Sequence, residues 1–424
     1  MIFSRHWGKF KVETTPFREF QPKGMKVMSK FTFSKTNLSK YVVTYPRYNM
    51  SYLVTLELQK LQKEAFKITG KEMQLVADNK KEHTFEIVVA GANREGAPEV
   101  NDYDTYIIAP VGNKLFVLGS RPYSSAAAVR KLIKLLKKGD AITEPIVGSY
   151  EKDVANDKKN YRLTWGDDFD GDKIDETKWE IFYGKRLCYA NGVNGKETMR
   201  CREDKPNTFI KDGSLYICAD QDEGHYYGGM LCTDGIMRYK YGYIEISTIH
   251  PKGLGFWTAL WLNSAAGPKG DYFTEIDVEE CYGNGGDWAY GNTFAWPTKK
   301  CKEEHSDAKC IHVNNKVAAK DDRGFWQDYH TFGYEWDENK VTFTCDGFPY
   351  VTQDISRHPA EVDALCMPVF LRLSMACGFQ SRGGITDDPW EWENTNKFIV
   401  DYVNIYQKDG QKLYFGKDGG VKPD

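Results

Sequence analysis

The stretch T-E-I-D-V-E-E-C-Y-G, Thr274–Gly283, is the most chemically dense part of the chain. On a regular strand Glu275, Asp277 and Glu279 would share one face, because successive side chains alternate. Three acids on one face repel, and burying any of them costs more, so a purely structural strand has little reason to carry them. An enzyme has a reason, because one carboxyl can stay protonated as a general acid while another stays ionised as a nucleophile. Such a pair suits cleavage of an acetal bond. A solvated, calcium-binding or salt-bridged acidic strand is the alternative.

Two tryptophans precede the acids. Trp257 and Trp261 are four residues apart within a predicted strand, so their side chains would share a face. Aromatic faces beside an acid cluster stack on sugar rings, whose C–H faces are apolar while their edges hydrogen-bond. Ordinary core packing is the alternative for both residues.

Composition narrows the function classes. The 57 Lys and Arg residues nearly balance the 60 Asp and Glu residues, for a net charge of −3, which argues against a nucleic-acid partner. No run approaches the roughly 18 apolar residues of a membrane span, so we expect a soluble chain with no membrane partner. Met1 to Lys30 lacks the apolar run of a secretory signal peptide. The 23 Phe, 11 Trp and 26 Tyr residues favour packed sheet or a ring-binding surface.

The 424 residues divide into two regions that differ in sequence pattern. Between Lys40 and Asp140 predicted strands alternate with two helices, one ending at Gly70 and one beginning after an N-cap at Ser124, which indicates a small α/β domain. From residue 161 onward, short runs rich in β-branched and aromatic residues stand between turns, which predicts a mainly β chain folded as an antiparallel sandwich or jelly roll. The predicted divisions are an N-terminal extension 1–39, an α/β domain 40–140, a linker 141–160, a β domain 161–410 and a tail 411–424.

All ten cysteines follow residue 187, and none forms a C-x-x-C pair, which argues against a zinc ribbon. Cys301 and Cys310 bracket a polar loop and could form a disulfide. In the α/β domain, Glu57, Glu64 and Glu86 are expected to be solvated charges.

The α/β domain resembles the small domain that precedes the catalytic barrel in α-glucuronidases and hexosaminidases. The resemblance rests on the E-L-Q-K helix ending at Thr69-Gly70, the V-A-G-A-N-R segment at Val89–Arg94 and the K-L-F-V-L-G strand. It implies an accessory role without catalytic carboxylates.

Six ordered segments across roughly residues 160 to 408 resemble glycoside hydrolase family 16, the laminarinase, lichenase, agarase and xyloglucanase group. The acid stretch resembles its E-x-D-x-(x)-E motif. The other matching segments are W-G-D-D-F-D-G from Trp165, the region of Glu197 and Asn207, D-G-S-L from Asp212, H-T-F-G-Y-E-W from His330 with Asp346-Gly347, and V-D-Y-V from Val400. The resemblance implies a β-jelly-roll sandwich with an open cleft, and retaining chemistry.

Carried over to this sequence, the family motif makes Glu275 the nucleophile. Asp277 is then the residue that orients and electrostatically tunes the nucleophile and the acid/base. The acid/base is Glu280 if the strand carries a β-bulge and Glu279 if it is regular. Gly283, three residues after Glu280, favours the bulge, as does the cost of turning Glu280 into the interior. The remaining candidate substrate contacts are Trp257, Trp261, Glu197, Asn207, Trp296 and Trp390.

The resemblance implies a retaining endo-β-glycanase that acts on β-1,3- or mixed β-1,3/1,4-glucan, without a catalytic cofactor. A β-galactan hydrolase of the agarase type and a non-catalytic carbohydrate-binding sandwich are the alternatives. A polysaccharide substrate implies a secreted or cell-surface monomer, although the sequence itself leaves localisation open. Many relatives hold a structural calcium ion, for which Asp168, Gly213 and Asp401 are the candidate ligands; a turn or capping carboxylate is the alternative for Asp401. Ser247 stands where the family often has Arg, which leaves the polarity of the cleft open.

Overall fold

The N-terminal unit is a mixed sheet with two helices. The computed structural model describes residues 32–100, 102–150, 159–183, 199, 201–222, 225–283, 287–378 and 395–416, and the chain divides into two units between Lys158 and Lys159. The strands of the first unit are β1 Val42–Tyr45, β2 Leu75–Ala77, β3 Glu86–Val89, β4 Thr105–Val111, β5 Lys114–Gly119 and β6 Ile146–Ser149. Its helices are α1 Tyr52–Thr69 and α2 Pro122–Lys138, after a 3-10 turn at Leu38–Lys40. The strand order is β2-β1-β3-β5-β4-β6, with β4 antiparallel to both neighbours.

Local signals set the helix ends. Helix α1 begins where the Ser51 hydroxyl accepts the Leu53 N–H, and it ends at Gly70, whose φ of 69° is the predicted left-handed cap. The predicted N-cap of α2 is wrong. Pro122 starts that helix two residues before Ser124, whose hydroxyl instead accepts the Arg121 N–H. Strand β6 lies inside the predicted linker, because a four-residue strand has too little pattern to stand out from a polar segment.

Two acids of this unit are buried, contrary to the sequence-based expectation. Glu86 is fully buried, and its Oε2 accepts a hydrogen bond from Arg94 Nε at 2.7 Å. Burial acts to raise the pKa of Glu86, but Arg94 and the His83 N–H outweigh it and lower the pKa. Glu57 pairs with Lys60 and with Arg130 of the other helix. Charged partners from neighbouring segments therefore compensate the desolvation of both carboxylates.

The second unit is an antiparallel β-jelly-roll sandwich of two large sheets, as predicted. Sheet 1 has the order β22-β21-β20-β15-β24-β10-β9, with β7 beside β24. Its strands are β7 Arg162–Asp167, β9 Thr208–Lys211, β10 Ser214–Cys218, β15 Gly242–Ile249, β20 His330–Trp336, β21 Lys340–Cys345, β22 Phe348–Asp354 and β24 Lys397–Gln407.

Sheet 2 has the order β19-β18-β17-β16-β23-β13-β8, and β14 joins β23 to β25. Its strands are β8 Glu180–Ile181, β13 Gly229–Cys232, β14 Met237–Lys240, β16 Trp257–Ala266, β17 Tyr272–Tyr282, β18 Trp288–Pro297, β19 Ile311–Ala318, β23 Val369–Ala376 and β25 Lys412–Phe415. A small hairpin, β11 Asp220–Asp222 with β12 His225–Tyr227, and the short helices α3 Lys299–Glu304 and α4 Pro359–Leu365 complete the unit. Strand β25 lies in the predicted tail, which therefore contributes to the sheet.

One core fills the sandwich, with side chains such as Ile246 and Phe332 from sheet 1 packing with Leu260 and Ile276 from sheet 2. Ser247 is fully buried on β15 of sheet 1, whereas the acid stretch is in sheet 2. The polarity of the acid stretch, which the sequence left open, therefore does not depend on Ser247. Within the described residues no helix is long and apolar enough to cross a bilayer. The nine described cysteines, including Cys301 and Cys310, are free thiols.

Candidate active site

A β-bulge in β17 decides which acids share a face. Leu260 of β16 pairs with Glu279, and the next residue, Trp261, pairs with Asp277, so Val278 is an extra residue. The pairing with β18 shifts at the same place. Val278 and Glu279 are therefore both turned toward the core, and Glu280 returns to the face that carries Glu275 and Asp277. We call this face of sheet 2 the acid face.

Glu280 is surrounded by donors. Its Oε1 accepts hydrogen bonds from Trp257 Nε1 at 2.8 Å and from the Tyr282 hydroxyl at 3.3 Å, and its Oε2 accepts one from Asn292 Nδ2 at 2.5 Å. Burial raises the pKa of Glu280, while hydrogen bonds from Asp277, Trp257 and the other donors oppose that rise. The carboxyl is thus held in one position while its proton affinity is increased, as an acid/base group requires.

Asp277 lies between the two glutamates. Burial raises the pKa of Asp277 well above its ordinary value, and the charges of Glu280 and Glu275 raise it further. Asn292 Nδ2 donates to Asp277 Oδ2 at 3.3 Å as well as to Glu280, so one amide links both carboxyls. Burial and both neighbouring charges therefore favour the protonated form of Asp277, which hydrogen-bonds Glu280.

Glu275 has a different set of neighbours. Burial raises its pKa to about 7, and Glu280 adds to the rise, whereas Asn263, Arg372 and Trp296 favour the ionised form. Arg372 NH1 in turn donates to Asn263 Oδ1 at 2.5 Å. The ionised form of Glu275 is thus supported by a nearby cation and by amide and indole groups.

The two tryptophans predicted to contact substrate are on the acid face, outside the sandwich core, but they differ in exposure. Trp257 is partly exposed and donates its indole N–H to Glu280. Trp261 is only 5% exposed, and the Arg372 guanidinium covers its ring at 4.5 Å from the centroid. The prediction that Trp261 offers an open stacking surface is therefore wrong, because its exposed ring area is taken up by the arginine and by apolar neighbours.

The other predicted substrate contacts have varied surroundings. Trp296 lies on the acid face near Glu275 and stacks on Phe294 at 5.2 Å. Asn207 is buried, and its amide accepts the Arg202 N–H and donates to the carbonyls of Cys218 and Gly228. Its amide group therefore holds backbone segments together and is not directed at a substrate, contrary to the prediction. The predictions for Glu197 and Trp390 lie outside the described residues.

Sequence reasoning missed several groups on this face. They are Asn263, Asn292, Phe294, His312 and Arg372. The available signal was polar residues alternating with aliphatic ones in β23, L-R-L-S from Leu371 to Ser374, but nothing in that pattern says which strand lies beside the acids.

The candidate calcium ligands do not form a cage of acids. Asp168 Oδ1 accepts a hydrogen bond from Asn404 at 3.4 Å, and Gly213 has a φ of 64° in a turn. Neither Asp168 nor Asp401 belongs to a group of three or more closely spaced Asp, Glu, His or Cys ligands among the described residues. Calcium also binds backbone carbonyl oxygens, which are what Gly213 would supply, so the calcium site stays a prediction.

Comparison with known proteins agrees with this geometry. Residues 161–408, more than half of the chain, match the family model described as beta-porphyranase A-D, GH16 domain. The chain belongs to glycoside hydrolase family 16. It is therefore a member of a glycan-degrading hydrolase family.

Relatives match the same part of this family 16 chain. A glucan endo-1,3-beta-glucosidase A1 of Niallia circulans is 26% identical, over 58% of this chain and 38% of the relative. A glucan endo-1,3-beta-glucosidase of Cryptopygus antarcticus is 23% identical, over 57% of this chain and 90% of the relative. The catalytic domain of a Thermotoga petrophila RKU-1 laminarinase is a similar solved structure, with 26% identity, a TM-score of 0.44, and coverage of 59% of this chain and 99% of that one. The chain thus spans less than two fifths of the Niallia circulans protein. The resemblance of the N-terminal unit to glucuronidase domains stays a hypothesis.

Proposed function

We propose that the chain is a retaining endo-β-glucanase that hydrolyses β-1,3- or mixed β-1,3/1,4-glucan by double displacement. The observation that carries this proposal is the gathering of Glu275, Asp277 and Glu280 on one sheet face, within a family 16 domain. Family relatives named as endo-1,3-β-glucosidases support the choice of glucan.

In the first step, the Glu275 carboxylate attacks the anomeric carbon while Glu280 donates its proton to the glycosidic oxygen, which leaves with the bond electrons. The product is a glycosyl ester on Glu275. Arg372 and Asn263, which favour the ionised form of Glu275, keep the nucleophile available.

In the second step, the Glu280 carboxylate removes a proton from water, and the water oxygen attacks the anomeric carbon and releases Glu275. Asp277 stays protonated and hydrogen-bonds Glu280, so it modulates the acid/base without reacting. Two displacements at the same carbon restore the original configuration, so the first product is the β-anomer.

A panel of laminarin, lichenan, xyloglucan, agarose and porphyran tests the proposal. We expect reducing ends to appear fastest from laminarin or lichenan, with a fall in polymer length from the outset and a β-anomer as the first product by NMR. An α-anomer as the first product would refute the double displacement.

A β-galactan hydrolase is the second candidate, because the matching family model carries the description beta-porphyranase. Faster release of reducing ends from agarose or porphyran than from every glucan would establish it in place of the glucanase. Binding to a polysaccharide without turnover of any of the five would instead favour a carbohydrate-binding sandwich.

A further inference from the structure

Three side chains of the kinds that bind transition metals meet inside the sandwich, behind the acid face. They are His250, Glu279 and Cys281, and one potential ligand atom from each lies within 4.8 Å of the others. All three residues are buried: Glu279 is 1% exposed, His250 4% and Cys281 6%. None of them takes part in the proposed reaction.

The fold brings this group together from both sheets. The bulge turns Glu279 toward the core, and Cys281, two residues later on β17, points the same way. His250 follows directly after β15 of sheet 1. A ligand held by all three residues would therefore connect the two sheets across the core.

The hydrogen bonds of His250 are compatible with the tautomer in which its second nitrogen is an acceptor. Its Nδ1 lies 2.7 Å from Thr258 Oγ1, and that hydroxyl donates to the Cys281 carbonyl at 3.4 Å. If the hydroxyl proton goes to the carbonyl, Nδ1–H donates to Oγ1 and Nε2 carries a lone pair. A second hydrogen-bond partner that fixes the ring in this way is usual for metal-bound histidines.

The polar atoms that face one another are poorly satisfied. Within the described residues, no hydrogen bond of ordinary geometry reaches His250 Nε2 or either carboxylate oxygen of Glu279, and the Leu260 N–H is the one donor that favours the ionised carboxylate. Nε2 lies 3.6 Å from Glu279 Oε2, which is too far for a hydrogen bond. Two ligands bound at about 2.1 Å in a tetrahedral zinc site are about 3.4 Å apart, close to this separation.

We propose that His250 Nε2, a carboxylate oxygen of Glu279 and the Cys281 thiolate bind a structural Zn²⁺ ion. One nitrogen, one oxygen and one sulfur ligand suit zinc, whereas calcium and magnesium require oxygen ligands. The ion would compensate the buried carboxylate and link sheet 1 to sheet 2. It is separate from the acid face, so the proposal stands or falls independently of the glucanase function.

Metal analysis of the full chain tests the site. The protein, carrying no metal-binding tag, is unfolded with a chelator, refolded with or without added zinc, desalted and measured by mass spectrometry of the metal. We expect about one zinc per chain after refolding with zinc, and a higher Tm than for the zinc-free preparation. Magnesium or calcium should not substitute.

Matched variants locate the ion. Cys281→Ser and His250→Gln should each lower the zinc content about tenfold or more, and Thr258→Val should weaken zinc binding about 10- to 100-fold by releasing the ring. Cys301→Ser, which changes a buried cysteine of α3, should keep one zinc. Cobalt-substituted wild type should show a thiolate-to-cobalt absorption band.

Two results would overturn the proposal, and the first needs only the wild-type protein. One is a refolded wild type that holds no zinc and has the same Tm with and without it, which would mean that His250 and Glu279 share a proton instead. The other is an equal loss of zinc from Cys281→Ser and Cys301→Ser.

Discussion

Glu279 and Glu280 are neighbours in sequence, and both are at least nine-tenths buried, yet they lie in opposite environments. Glu280 receives hydrogen bonds from an indole, a phenol and an amide on the acid face. Glu279 faces the core, where no side chain among the described residues hydrogen-bonds either carboxylate oxygen. In both cases burial is the largest influence on the carboxyl, and it raises the pKa.

The difference shows that burial alone does not define a catalytic acid. Glu280 has donors that fix its position, and it lies with Asp277 and Glu275 on the face of sheet 2 that is turned away from the core. Glu279 lies beside the Cys281 thiol and the His250 ring, and burial lowers the pKa of His250 to about 3, so that ring supplies no positive charge near neutral pH. The single extra residue of the bulge, Val278, is the reason that Glu279 faces the core while Glu280 lies on the acid face.

The largest expected effect is a difference in activity between variants of the two glutamates. Glu280→Gln should lower kcat/KM by about 10²- to 10⁴-fold, because the amide cannot transfer the proton. Glu279→Gln serves as the matched control and should change kcat/KM by less than about tenfold, since its side chain points away from the substrate. Steady-state kinetics on the best substrate of the panel would measure both. Equal losses in the two variants would contradict the assignment of the acid face.

Stability should also depend on the acid face. The folded-state pKa of Glu275, about 7, lies above its ordinary value of 4.5, so the folded protein binds this proton more tightly than the unfolded chain does. Its contribution to stability is present below about pH 4.5 and is lost as the pH rises through 7. At about 1.4 kcal/mol per pKa unit, the loss amounts to about 3 kcal/mol.

The Glu275→Gln variant has no carboxyl to deprotonate at this position, so it does not lose this stability as the pH rises. Its free energy of unfolding should exceed that of the wild type by up to about 3 kcal/mol near pH 8, and the excess should shrink toward pH 5. Denaturant unfolding at both pH values measures the difference. Glu338→Gln, at an exposed carboxyl of the same unit, should show no such dependence. A difference that does not vary with pH would contradict the explanation.

A smaller effect concerns the alkaline limb of the pH profile. Trp257 donates to Glu280, the proposed acid/base, and this hydrogen bond lowers the pKa of Glu280. Trp257→Phe should therefore move the alkaline limb of kcat/KM to higher pH. Trp261→Phe removes an indole N–H that is bound to Ser374, so it should leave that limb in place. A shift of the same size in both variants would count against the role of Trp257.

The smallest expected effect concerns the acid limb. Arg372 lowers the pKa of Glu275, so Arg372→Met should raise that pKa and move the acid limb to higher pH. Arg238→Met is the control, because Arg238 stacks on Phe370, as Arg372 does, but does not influence Glu275. An unchanged acid limb in Arg372→Met would show that the cation does not support the nucleophile.

Several features could be predicted from sequence because they depend on local pattern. The helix end at Gly70, the change of texture near residue 160 and the common face of Glu275 and Asp277 all follow from periodicities of the backbone. Strands β2 and β6 were missed because segments of three or four residues carry too little pattern. The N-cap of α2 was misplaced because both Pro122 and Ser124 are helix-start residues.

The choice between Glu279 and Glu280 shows most clearly where sequence-based prediction ends and tertiary structure becomes necessary. The sequence by itself determined that acids cluster on β17 and that the chain is a family 16 sandwich with an α/β unit ahead of it. Only the tertiary structure decided that Val278 is the extra residue, that Arg372 and Asn263 support Glu275, and that His250 meets Glu279. Side-chain alternation is a property of one strand, whereas register and cross-sheet contacts depend on hydrogen bonds and packing between residues far apart in the chain.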